Sequence, residues 1–305
     1  VVGAYGVGRG LYGEGMREKV EGFAAGVVGG EDWGEDFDVI HAHDWMTFVA
    51  GMAMKERTGK PLVAHVHSLE FDRSGPGVRG WVYDIEREGM ERADVVVAVS
   101  GYTAGVCGRE YGIGRGKIAV VHNGVEAGCV GGGPREELVV FVGRLAWQKG
   151  GEMFVRVAKR VRERFPGVRF VMAGDGELRE QLVGRGVEVL GFLERDEVFA
   201  LLARAKVFCM PSVSEPFGIA ALEAAVAGLP VVVSRQSGVR EVLGSARLVD
   251  GWDESGWVEQ VCRLFESEGE RRELGSVLRQ EAQRCSWDGA AARILGVYRE
   301  WLGVG

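Results

Sequence analysis

Residues Ser214–Pro230 read SEPFGIAALEAAVAGLP. A polar lead-in with a proline runs into small and apolar residues and stops at Gly228-Leu229-Pro230, which predicts a helix from near Phe217 to Gly228. Pro216 suits a first helical turn. The free backbone N–H groups of Phe217, Gly218 and Ile219 make that turn receptive to an anion. Glu215 precedes the helix and Glu223 follows on it. At 1.5 Å per residue their separation along a helix axis is ~12 Å with an angular offset of ~80°, so both carboxylates lie along one side. Two acids so spaced around an anion site suit a long ligand with hydroxyls at each end and phosphates in the middle, such as a nucleotide sugar. On spacing alone, an ordinary helix with a capping acid and one solvated acid stays open.

The segment lies between two apolar runs, Lys206–Pro211 (KVFCMP) and Leu229–Ser234 (LPVVVS). Similar runs recur at Asp38–His41, Leu62–His67, Asp94–Ser100, Lys117–His122, Leu138–Gly143, Val168–Gly174, Val187–Gly191 and Ala246–Val249. Amphipathic stretches separate them, such as Glu152–Phe165 with Phe154, Val155, Ala158 and Val161 on one face. Continuous apolar strands between helices predict parallel sheets covered on both faces, hence an α/β fold of two doubly wound units. The Gly-rich stretch Gly124–Pro134 (GVEAGCVGGGP) is the expected linker. The expected division is 1–127, 128–286 and a final helical segment 287–305.

Composition narrows the function. The chain has 305 residues and a net charge of −7 from 37 basic and 44 acidic residues. The basic residues are scattered, which argues against a nucleic-acid partner. No apolar run reaches the ~18 residues of a membrane span, and Val1–Gly15 is Gly-rich rather than a secretory leader. Five cysteines without a CxxC fit a reducing cytoplasm. Glycine is abundant, 49 residues, against a usual ~7%.

In open α/β sheets ligands bind beyond the carboxyl ends of strands. Gly143–Gly150 (GRLAWQKG) follows a strand there, and Arg144 and Lys149 beside a helix start would hold a diphosphate. Gly174–Glu177 (GDGE) is a second such turn, where glycine admits a ligand to the backbone. All five histidines (His41, His43, His65, His67, His122) are expected at strand ends of the first unit. HxH places both rings on one strand face, but the spacing matches no closed zinc pattern, so polar groups for sugar hydroxyls or an acceptor are expected rather than a metal. Two motifs are decoys. Gly8–Gly13 matches GxGxxG without a preceding strand, and Asp36-Phe37-Asp38 matches DxD at the wrong end of a strand.

Together these segments resemble the retaining GT-B glycosyltransferases, specifically glycosyltransferase family 4 and its glycogen and starch synthase relatives. Glu215–Glu223 is similar to the family's E-x7-E motif, and GRLAWQKG to its diphosphate loop. HAHDW (41–45), HVHSLEFDRSG (65–75), VVHNGV (120–125) and the Trp287–Tyr298 helix resemble further family segments. The resemblance implies two Rossmann-like domains facing a cleft, the first abbreviated, with the last helix crossing back to it. It implies that Arg144 and Lys149 neutralise the donor diphosphate, that Glu215 contacts the transferred sugar, and that Glu223 binds the ribose. It places Gly143, Phe217, Gly218 and Ile219 along the sugar and phosphates, and Gly174 and Leu193 beside the base. It implies that His67 faces the donor sugar and that His43 and Asp44 lie on the acceptor side. No cofactor is expected beyond the donor, UDP- or ADP-glucose, and the acceptor is a carbohydrate or other hydroxyl. Trp45, Trp81 and Trp147 are candidates for stacking on sugar rings or for packing.

The chain departs from the family pattern at its start. No strand feeding a Gly-rich loop precedes Asp38, so at least one βαβ unit is expected to be missing. Truncation, substitution by the Gly-rich residues 1–30, and completion by a homo-oligomer or partner chain are the three explanations. The alternatives to a transferase are a catalytically weak donor-binding subunit and a GT-B phosphorylase or epimerase.

Overall fold

The computed structural model describes residues 14–29, 37–126 and 134–303. The strands among them are β1 (Ile40–His43), β2 (Leu62–Val66), β3 (Val95–Ala98), β4 (Ile118–Val120), β5 (Leu138–Val142), β6 (Arg169–Ala173), β7 (Glu188–Gly191), β8 (Val207–Met210), β9 (Val231–Ser234) and β10 (Arg247–Val249). Every strand pairing is parallel. The chain forms two units, Val1–His122 with Ala290–Gly305, and Asn123–Gly289. The Gly8–Gly13 motif, Asp36, Cys129 and most of the expected linker lie outside the described residues. Among the described residues no helix is long and apolar enough to cross a membrane.

The first unit has the sheet order β1-β2-β3-β4. Right-handed crossovers between sequential neighbours put the connecting helices on one face. There Ala42, Ala64, Val66 and Val96 pack with Phe48, Met90, Val106 and Tyr111 from helices Trp45–Thr58, Trp81–Arg92 and Gly101–Tyr111. Strand side chains alternate, so Val63, Val95, Val97 and Val121 face the other way, where Val297, Ile294 and Tyr298 of helix Trp287–Leu302 cover them. His41, His43 and His65 share this second face. The first strand was expected over 38–41 with its histidines beyond it. Instead His41 and His43 both lie within β1 and His65 within β2, because the parallel ladder runs on to the pair His43–His65.

A buried polar network fixes the segment after β2. The Glu86 side chain, 1% exposed, accepts from the Glu70 N–H at 2.9 Å, from Tyr111 Oη at 2.6 Å and from Arg73 Nη2 at 2.5 Å. Arg73 Nε also donates to Glu70 at 3.2 Å. One cation thus serves two buried carboxyl groups, and burial pushes Glu86 up to about 7 against the pull of Arg73.

The second unit has the order β10-β9-β8-β5-β6-β7. Strand order reverses between β5 and β8, and the loops leaving adjacent strands at such a point diverge to open a crevice. Helix Gly151–Arg164 buries Phe154, Val155, Ala158 and Val161, the face expected from their spacing. The helix after Glu215 spans only Ile219–Val226, with Gly218 at φ 108° before it. Glu215 instead pairs in extended geometry with Ser237. It therefore lies off the helix, and the helical spacing assumed between Glu215 and Glu223 does not apply.

Candidate active site

The carboxyl ends of β5 and β8 carry the groups singled out in the sequence. Lys149 closes the short 3-10 turn Trp147–Lys149 after β5, and Glu215 lies in the loop after β8. Across the point where strand order reverses, Lys149 Nζ donates to Glu215 Oε2 at 2.6 Å, with the two side chains 20% and 6% exposed. Ser212 Oγ adds a longer bond to the same oxygen at 3.4 Å. Both of these side-chain bonds of Glu215 fall on Oε2.

The backbone is arranged to hold the two loops close. Val213 N–H donates to the Gln148 carbonyl at 2.8 Å. Gly150 has φ 74°, and a Cβ there would stand 1.9 Å from the Pro211 carbonyl oxygen. Gly174, after β6, has φ 142°, and a Cβ would stand 1.9 Å from the Gly143 carbonyl oxygen. Glycine at these two positions is a condition for the β5 loop to lie against its neighbours on both sides.

Arg144 is exposed beside this turn, and its Nη2 donates to Gln148 Oε1 at 3.1 Å. Phe217 is 2% exposed. Its carbonyl accepts from Val239 N–H at 2.6 Å and Ser237 Oγ at 3.1 Å, so Gly218 and Ile219 follow a firmly anchored residue. The first amides of the Ile219–Val226 helix have no intrahelical acceptor and provide the anion-receptive end. Glu223 is half-buried on this helix. Burial raises its pKa, opposed by Arg195. Gly143 continues from β5, with its N–H donating to the Ala173 carbonyl at 3.0 Å, and Leu193 is half-buried just beyond β7.

In the first unit the segment after β1 is under backbone strain. Asp44 has φ 56° and ψ 172°, the one non-glycine residue with positive φ among those described. Such a conformation costs ~1–3 kcal/mol and persists where other bonds impose it. Here Asp44 Oδ1 accepts from the His67 N–H at 2.7 Å and the Ser68 N–H at 3.3 Å. The same bonds position His67, whose Nε2 lies 2.8 Å from His43 Nδ1. His41 and His65 lie beside them, with His41 Nε2 3.1 Å from His65 Nδ1. Burial first, and then neighbouring histidines, lower the pKa of His41 to about 4 and of His65 to about 2. Trp45 is 2% exposed and meets Trp81 edge-on at 5.2 Å. It is a core residue, which corrects its candidacy for sugar stacking.

Sequence reasoning did not single out Ser212, Gln148 or Ser237. Their roles depend on which loops adjoin, and Ser and Gln in loops carry no pattern of their own.

Residues 136–267 match the family described as glycosyl transferases group 1, and residues 31–128 match glycosyltransferase family 4. An uncharacterised glycosyltransferase of Methanocaldococcus jannaschii is 30% identical over 306 residues, covering 87% of this chain and 76% of the relative. The glycogen synthase of Mycobacterium tuberculosis is 32% identical over 225 residues, which cover 68% of this chain and 54% of that relative. The chain thus spans about half the length of that synthase. Among solved structures, sucrose-phosphate synthase from Thermosynechococcus elongatus aligns at TM-score 0.76 and 20% identity, over 95% of this chain and 79% of its own. Anabaena HepE in complex with UDP and glucose aligns at TM-score 0.77 and 19% identity, over 96% and 84%. These likenesses show the GT-B fold. With its two parallel-sheet units and the matches along both, the chain belongs to the glycosyltransferase family 4 group of glycosyltransferases.

Proposed function

We propose that the chain moves a hexose, glucose in the first instance, from a nucleoside-diphosphate sugar to a carbohydrate or other hydroxyl acceptor with retention at the anomeric carbon. The observation that carries this reading is the Lys149–Glu215 pair at 2.6 Å, set where strand order reverses. Breaking the anomeric C–O bond builds negative charge on the leaving phosphate and positive charge on the sugar. A fixed cation at the phosphate stabilises that separation without having to reorganise. An ammonium has three N–H donors, so Lys149 keeps Glu215 and still reaches a phosphate oxygen, with Arg144 as a second cation. Glu215 Oε1 accepts the sugar's hydroxyls, the helix start at Gly218 and Ile219 receives phosphate or sugar oxygens, and Glu223 takes the ribose. The loops at Gly174 and Leu193 border the base.

With two cations at the diphosphate, the transfer runs without a divalent metal and with no cofactor beyond the donor. In the retaining reaction the departing phosphate oxygen takes the acceptor's proton on the face it leaves, so no glycosidase-like carboxylate pair is required. HepE was solved with UDP and glucose, which supports that donor class here. His67, His43 and Asp44 are assigned to the sugar and acceptor side on the resemblance of their segments.

A screen of nucleoside diphosphates and their sugars tests the reading. Nucleotide released from UDP- or ADP-glucose only when a sugar acceptor is present, with product of retained configuration, is the expected result. A thermal shift without turnover would reassign the chain as a donor-binding subunit that needs a partner. Phosphate-dependent cleavage, or an altered sugar without transfer, would make it a phosphorylase or epimerase.

A further inference from the structure

Four imidazoles meet on one face of the first unit's sheet. The parallel register sets His43 level with His65 and His41 one pleat behind. Ring centroids lie 4.5 Å apart for His41–His43, 5.0 Å for His43–His65 and 4.2 Å for His65–His67. Potential ligand nitrogens of His41, His43 and His65 all lie within 4.8 Å of one another. Two ligands of a tetrahedral zinc with bonds of ~2.0–2.1 Å stand ~3.3 Å apart. His41 Nε2 stands 3.1 Å from His65 Nδ1, so the two rings already approach closely.

Two further observations point to a ligand. His65 is 7% exposed and its Nε2 is buried with no hydrogen-bond partner. A buried polar nitrogen without a partner is costly and calls for an explanation. The outer nitrogens of the other rings are engaged as they are in metal sites: His41 Nδ1 bonds Tyr298 Oη, and His43 Nδ1 lies 2.8 Å from His67 Nε2. Asp44, the adjacent carboxylate, gives Oδ1 to backbone amides, and the clustered donors are the three histidines. The donor set is therefore imidazole alone, which selects zinc and its first-row neighbours over magnesium or calcium.

We propose that His41, His43 and His65 form a binding site for a zinc-class divalent ion, with Tyr298 and His67 holding the outer nitrogens and one coordination position open to water or a hydroxyl ligand. All three ligands belong to the first unit, with His43 on the side assigned above to the acceptor, and the site does not rest on the transferase reading.

The test uses the untagged full chain, stripped with a chelator and titrated with Co2+ and then Zn2+. One Co2+ per chain with the visible absorption of a tetrahedral nitrogen site, displaced by Zn2+ and not by Mg2+, is expected. His43→Ala, at an exposed position, and His65→Ala should each weaken binding by at least the ~100-fold that losing even an outer-shell partner can cost. His122→Ala, outside the cluster, should leave it unchanged. Circular dichroism of the metal-free variants separates lost ligation from lost folding. Absence of stoichiometric binding by the wild-type chain at roughly 0.1 mM Zn2+, or binding that survives in a folded His43→Ala/His65→Ala chain, overturns the proposal.

Discussion

Lys149→Ala removes the ammonium and leaves the Glu215 carboxylate, 6% exposed, without its 2.6 Å partner. Breaking a buried ion pair from one side costs ~3–5 kcal/mol. Lys149 is itself 20% exposed, and water entering the vacated space screens the stranded charge, so the cost belongs near the lower bound, about 3 kcal/mol. A unit of this size loses ~2–4 °C of Tm per kcal/mol, which gives a fall of about 6–12 °C in its unfolding transition. Adding Glu215→Gln removes the stranded charge and should recover part of the loss, with a coupling of ~1.5–3 kcal/mol in the double-mutant cycle. Turnover follows a different rule. The single loss of a preorganised group facing developing charge costs ~10²–10³ in kcat, and Glu215→Gln should not restore it. Scanning calorimetry and acceptor-dependent nucleotide release, run on the four proteins of the cycle, separate the two effects. A Lys149→Ala chain with Tm within about 1 °C of wild type and wild-type turnover would refute both the pairing energy and the catalytic assignment.

Three further outcomes are expected. Asp44→Ala keeps a strained backbone and loses the bonds that hold it, so it should cost ~2–3 kcal/mol in urea unfolding, while Asp44→Asn, which keeps an acceptor oxygen, should cost under ~1 kcal/mol; equal costs would remove Asp44 as the anchor of His67. Gly174→Ala forces a methyl to within 1.9 Å of a carbonyl oxygen at φ 142°, and should destabilise the second unit by ~2–4 kcal/mol; a neutral result would mean the β5 and β6 loops are not in contact. Glu86 titrates near 7 in the folded chain against a reference of 4.5. The folded state therefore holds more protons between those values, and the contribution of Glu86 to stability falls as pH rises through that window, then levels off above it. At ~1.36 kcal/mol per unit the whole effect is at most about 3 kcal/mol. Glu86→Gln should flatten the decline between pH 5 and 8 in urea midpoints, and a parallel profile for the two proteins would contradict the assignment.

The strands were legible because parallel strands buried on both faces read as unbroken runs such as LVVFV and VVVA. Lys149 and Glu215 could be singled out too, since each stands in a distinctive local pattern. Their contact was not. They are far apart in the chain, and only the placement of β8 beside β5 joins them. The helix at Ile219 begins late because Gly218 adopts φ 108°, a backbone choice that apolar spacing does not register. The HxH pairs announced two histidines per face, but the register of β1 on β2, which makes four neighbours of them, is set by pairing rather than by local pattern. Nothing in HAHDW marks Asp44 as strained, because the strain comes from amides more than twenty residues on.

The helix Trp287–Leu302 has a consequence for how the protein is made. It covers Val63, Val95 and Val97 of the first sheet, yet it leaves the ribosome only after the whole second unit. Until then that sheet has one bare apolar face, and the intervening residues 123–289 form a unit that can collapse on its own. Folding order is thus inverted relative to sequence order: the later unit is the first that can be finished, and the earlier one waits for the helix that follows it. A nascent chain stalled before residue 290 presents that valine surface to chaperones or to other chains. The helix thus ties completion of the first unit to prior synthesis of the second.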